Sequence, residues 1–118
     1  MGGAFSYLVN YKGKKILIQQ ATRYNQELKS TLSNHKIDII FQGIANRRST
    51  NDLYENIWKI VEAKTIIPLH HDNFFFEVED YSKIDYLYGI SFSEFQAFFS
   101  SKTNIKKIEP LYFQKLSL

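Results

Sequence analysis

The sequence predicts an α/β fold, with one mixed β-sheet and about three helices in a single domain spanning residues 1–118. Three observations predict it. Short apolar runs, several of them β-branched, recur between glycine or proline stops. Between those runs the apolar spacing lengthens to three and four residues, the period of a helix covering a core. Finally, strand and helix alternate, which implies parallel pairing through right-handed crossovers.

Each element follows from its residues. Phe5-Ser6-Tyr7-Leu8-Val9 and Lys15-Ile16-Leu17-Ile18, joined through Asn10-Tyr11-Lys12-Gly13, predict a β-hairpin in which Gly13 supplies the positive φ of the turn. From Asn25, a candidate cap, Leu28 and Leu32 stand four apart and mark a short helix ending near Asn34. Ile37-Asp38-Ile39-Ile40-Phe41 reads as a buried strand closed by Gly43. Ser49 and Asp52 have the spacing of a capping box and open a helix with the apolar face Leu53, Ile57, Trp58, Ile60 and Val61. Thr65-Ile66-Ile67 is a strand expected to stop at Pro68, which has no ladder N–H. Ser91 or Ser93 is placed to cap a third helix bearing Phe92, Phe95, Phe98 and Phe99. Ile105 to Ile108 and Leu111 to Leu116 offer one or two last short strands.

Composition narrows the chemistry. The 118 residues contain no Cys, which excludes a disulfide framework, a thiolate nucleophile and any Cys-ligated zinc or iron–sulfur centre. The apolar runs are far shorter than the ~20 residues that cross a bilayer, and Met1-Gly2-Gly3 opens no signal peptide. The expectation is a cytoplasmic protein with no membrane partner. The net charge of +3 is uneven, with nine basic and four acidic residues in 1–60 against six and eight in 61–118.

Open α/β sheets bind ligands past the carboxyl ends of their parallel strands. His70-His71-Asp72 lies just past the Thr65–Pro68 strand. In an extended segment His70 and Asp72 share one side and His71 takes the other, so an imidazole and a carboxylate face the same way. That pair suits zinc or iron, or a histidine oriented by its carboxylate; polar loop residues at a sheet edge are the competing explanation. Arg47-Arg48, between a strand and a helix start, offer an anion contact, against which stands a solvated charge pair. Lys12, Lys14 and Lys15 around the hairpin turn and Lys106-Lys107 near the C-terminus, interleaved with aromatics, suggest single-stranded nucleic acid as a further alternative. Core packing accounts for the aromatics as a group. His35 falls in a helix-to-strand connection and is expected at the surface.

Strand, helix, strand and then Pro-x-His, in this order, resemble the second half of the metallo-β-lactamase fold. The matching segments are Gly2 to Val9 with Lys14 to Ile18, then Ile37 to Ala45, then Ile66-Ile67-Pro68-Leu69-His70-His71-Asp72-Asn73-Phe74-Phe75. The likeness runs from Gly2 to about Phe76. It implies half of an αββα sandwich and a metal-dependent hydrolase ancestry, with zinc or iron activating water against a small-molecule substrate. By that likeness His70 is the late metal-ligand histidine, with Asp72 and His71 as neighbours in the same loop. The family's His-x-His-x-Asp-His run has no counterpart here, and Gln19-Gln20-Ala21-Thr22-Arg23 stands where its bridging Asp would follow a strand. The expectation is therefore a truncated domain, not a competent hydrolase as a lone chain. A half-fold would also expose the inner face of its sheet, which predicts a homo-oligomer or pairing with a separately encoded first half. A non-catalytic oligomerisation module is the alternative.

Overall fold

Lys12 and Gly13 both take positive φ, 49° and 79°. Two left-handed residues in a row are what a two-residue hairpin turn needs to match the twist of its strands. This turn joins β1 (Ser6–Tyr11) to β2 (Lys14–Gln19) antiparallel, Tyr11 opposite Lys14 and Ser6 opposite Gln19. The hairpin is tighter than the sequence suggests, because Lys12 joins Gly13 in the left-handed region. The computed structural model describes residues 6–19, 26–44, 50–69, 92–101 and 104–109.

The chain continues through α1 (Gln26–Leu32), β3 (Ile39–Gly43), α2 (Thr50–Leu53), a π-helical turn (Tyr54–Trp58), β4 (Thr65–Leu69), α3 (Phe92–Ser101) and β5 (Lys106–Lys107). Sheet order follows chain order, β1 to β5, and β2 to β5 run parallel. Right-handed crossovers that always step the same way lay their helices on one face. The core agrees with that rule. Leu17, Ile40 and Ile66 stand side by side across β2, β3 and β4 and pack beneath Leu32 of α1, Trp58 after α2 and Phe95 of α3. The fold is α/β, a mixed five-stranded sheet with three helices among the described residues.

The helix expected from Ser49 is α-helical for one turn only. Lys59 N–H then bonds Tyr54 O at 2.8 Å and Ala63 N–H bonds Trp58 O at 3.0 Å, five residues back. The wider turn puts both Ile57 and Trp58, adjacent in sequence, into the core at 0% exposure, with Leu53 and Val61 beside them. Ile60, assigned to the apolar face from the sequence, is only half-buried. Trp58 meets Phe95 and Phe98 edge-on, with centroids 6.3 and 5.8 Å away. The segment stops at Glu62, whose φ is +53°.

Two strand limits differ from expectation. β3 is shifted to Ile39–Gly43 because Ile37 N–H is taken by Val61 O and Asp38 by Lys15. β4 does not stop at Pro68 but runs through it to Leu69. Lys64 and Ile66 accept bonds from the β5 side, from Lys106 N–H at 2.8 Å and Ile108 N–H at 3.0 Å. Alternation gives Pro68 the same direction, so its missing N–H faces β5 and costs β4 nothing against β3. Proline thus limits β5, whose paired residues are Lys106 and Lys107.

The second face carries the rows Val9, Ile16, Ile39, Thr65, Lys106 and Tyr7, Ile18, Phe41, Ile67. The half-fold argument expects this face to lie open, and its centre does not: Ile16, Ile39 and Ile67 are 9%, 4% and 1% exposed. Open apolar surface is found at the edge strand instead, at Tyr7, Val9 and Tyr11 on this face and Leu8 on the other. An edge strand has a neighbour on one flank only, so its side chains lose cover on the other. The expected strand Leu111–Leu116 and the candidate caps Asn25, Ser49 and Ser91 lie outside the described residues.

Candidate functional site

The carboxyl ends of the parallel strands form one level. Gln19, Gln42 and Pro68 lie in register, and Gly43 pairs with Leu69, the last residue of β4. Gln19 and Gln42 are 2% and 0% exposed, so their amides must be satisfied inside the protein. They are. Trp58 Nε1–H donates to Gln42 Oε1 at 3.1 Å, and Gln42 Nε2 donates to Gly43 O at 3.0 Å and, at 3.5 Å, to Gln19 O. The Ser6 hydroxyl donates to Gln19 Oε1, tying the hairpin edge into the same layer. The signal for Gln42 in the sequence is a lone amide after Ile39-Ile40-Phe41, but nothing in the spacing says that Trp58 will meet it.

This layer is neutral and its amide oxygens already accept hydrogen bonds. Among the described residues it offers no acid or base, its one hydroxyl, that of Ser6, is engaged with Gln19, and no three His, Asp or Glu side chains gather to hold a metal ion. It therefore does not supply the ligands that the metallo-β-lactamase likeness requires. His70, His71 and Asp72, which follow directly on Leu69, lie outside the described residues, as do Arg47 and Arg48.

A second concentration of function-bearing groups sits at the opposite, amino end. An open groove of about 500 Å³ brings together Lys12 and Lys14 from the hairpin, Lys64 before β4 and Lys106 of β5, with Asp38 and Ile39 between them. Asp38 ties the strand starts together. Its carboxylate accepts Lys15 N–H at 3.0 Å and pairs with Lys64 Nζ at 3.3 Å, while its carbonyl receives Thr65 N–H at 3.0 Å. The backbone bond from Lys15 is the main reason that its pKa falls below the ordinary value; burial opposes the fall, and the charges of Lys64 and Lys14 reinforce it. His35 is half-buried rather than fully at the surface, with Nδ1 3.3 Å from Lys15 Nζ.

The sequence groups Lys12 and Lys14 around the hairpin turn and names Lys106 near the C-terminus, and the parallel strand order is what brings Lys106 to the same groove. Lys15 and Lys107, named with them, do not line the groove: Lys15 turns to His35, and Lys107 pairs with Glu109 and lies 5.9 Å from the Phe99 ring. Lys64 has no signal in the sequence, where it is a lone lysine before a strand.

Compared with known proteins, the chain matches no family model, no curated protein and no solved structure. Among the described residues no helix is long and apolar enough to cross a membrane.

Proposed function

We propose that this chain is the carboxyl-terminal half of a metallo-β-lactamase-like hydrolase, inactive alone and completed by a second chain. The observation that supports the reading is the level end of β2, β3 and β4, where Leu69, the last described residue of β4, is followed in the sequence by His70. That is where the likeness expects the late metal-ligand histidine, and where open α/β sheets bind ligands. His70 would serve as a ligand, with Asp72 as a second ligand or as the carboxylate orienting it. His71 would lie on the other side of the loop. Zinc or iron held there would activate water against a small-molecule substrate. The neutral Gln19 and Gln42 leave the remaining ligands to a second copy or a separate first half. The proposal puts the chain in the cytoplasm.

The test is zinc content by elemental analysis after gel filtration, with hydrolysis of bis(p-nitrophenyl) phosphate and p-nitrophenyl acetate measured on the same samples. The lone chain is expected to hold well under one zinc per chain and to hydrolyse neither compound. Mixed with a first half that carries His-x-His-x-Asp-His, it should retain zinc, and His70→Ala should remove that gain. Hydrolysis by the lone chain, or zinc uptake by the pair that ignores His70→Ala, counts against the proposal.

A further inference from the structure

We infer that the amino-end groove and the exposed face of β1 together form a binding surface for single-stranded nucleic acid. This site is separate from the carboxyl-end site proposed above and does not depend on it.

The first observation is charge. Lys12, Lys14, Lys64 and Lys106 line one groove around one carboxylate, and Asp38 is already engaged with Lys64 and the Lys15 backbone. Among the described residues Lys12, Lys14 and Lys106 are in no ion pair. Four lysines against the single carboxylate of Asp38 leave the groove lining with an excess of positive charge, which a polyanion neutralises while releasing its own counterions.

The second observation is the apolar stripe beside the groove. Tyr7, Val9 and Tyr11 lie on the same face of β1, 54%, 40% and 57% exposed. Tyr11 is the residue paired with Lys14, and Lys12 Nζ lies 5.3 Å from its ring centroid. The two tyrosines stand four positions apart on the strand, roughly 13 Å, so a short extended strand reaches both. Free inorganic phosphate would use the lysines and leave the tyrosines without purpose. A strand with a charged backbone and flat bases uses both, because bases stack on aromatic rings without needing a particular sequence. A second copy of this chain fits less well, since like copies would bring the lysines beside the stripe together.

The test is fluorescence anisotropy of a 5′-fluorescein (dT)12 with the full-length chain between 50 and 200 mM NaCl. Binding in the micromolar range is expected at 50 mM, with a log–log salt slope of about −2, corresponding to roughly three phosphates on a single strand. Lys14→Glu and Lys106→Glu should each weaken binding about tenfold and flatten the slope. Tyr11→Ala should weaken it about 5- to 30-fold with the slope unchanged, which separates stacking from charge. Circular dichroism checks the fold of each variant, and Lys12→Glu replaces either lysine variant that fails it. Absence of binding at 50 mM overturns the inference. So does binding indifferent to both charge reversals, or competition by inorganic polyphosphate with no effect of Tyr11→Ala, which would mean a simple anion site. Concentration-dependent dimerisation by sedimentation, abolished by Tyr7→Ser and Tyr11→Ser in a protein that binds no oligonucleotide, would assign the stripe to a second copy instead.

Discussion

The two ends of the parallel strands solve opposite problems with the same backbone. At the carboxyl end Gln19 and Gln42 are buried and neutral, and Trp58, Gly43 and Ser6 are among their hydrogen-bond partners. At the amino end Asp38 keeps its charge, four lysines surround it, and the groove is open. A buried layer must be satisfied internally, because an amide left without a partner costs about 1–3 kcal/mol. An open charged layer is satisfied by water and ions and can exchange them for a ligand. The first arrangement stabilises; the second is free to bind.

The contrast is broken most severely at Trp58. Trp58→Ala removes a fully buried ring from the centre of the aromatic cluster as well as the donor to Gln42, and is expected to cost about 3–5 kcal/mol by urea denaturation. Trp58→Phe keeps most of the packing and removes the N–H, so it should cost about 1–3 kcal/mol. Equal losses for the two variants would show that the hydrogen bond, not the ring, dominates that end.

At the amino end, Asp38→Ala removes the acceptor for Lys15 N–H and is expected to cost about 1–2 kcal/mol. Acid titration sharpens the point. Asp38 has a lower pKa folded than unfolded, so the unfolded chain takes up the proton first and stability rises with pH in that window. Its contribution is complete above the ordinary carboxylate range and is lost as pH falls below about 4 through the folded value. Denaturation midpoints of Asp38→Asn between pH 2.5 and 6 should therefore fall less steeply on the acid side than those of the native chain; parallel curves would remove Asp38 from the account.

The smallest effect is expected at Glu62. Its φ of +53° costs a non-glycine residue about 1–2 kcal/mol, glycine's greater chain entropy returns roughly 0.5–1, and the exposed ion pair with Lys36 contributes little. Glu62→Gly should thus stabilise by at most about 1 kcal/mol, read as a rise in melting temperature. A fall would mean that the Lys36 pair matters more than its exposure suggests.

Much of the fold is legible in the residues. Gly13 marks the hairpin, and Ile39-Ile40-Phe41 and Thr65-Ile66-Ile67 mark two parallel strands. Leu28 with Leu32 and the Leu53 to Val61 face mark the helices between them. The errors share a cause. Pro68 is a stop by its own chemistry, but its missing N–H matters only toward β5, a neighbour contributed from almost forty residues later. Tyr54 to Trp58 has helical spacing, yet two adjacent large side chains both found room in the core, and the turn widened to admit them. At the sites the difference is sharper. The chemistry of Lys12, Lys14 and Lys106 is visible in the sequence, whereas their meeting around Asp38 is not.

By itself the sequence determined the α/β class, the alternation of strand and helix, and the absence of cysteine chemistry, because periodicity, turn residues and composition are local properties. Only the tertiary structure decided that the amide layer lies at one end of the sheet and the lysine groove at the other. Register and strand order are set by which side chains pack together across the sheet, and no short stretch of chain contains that information.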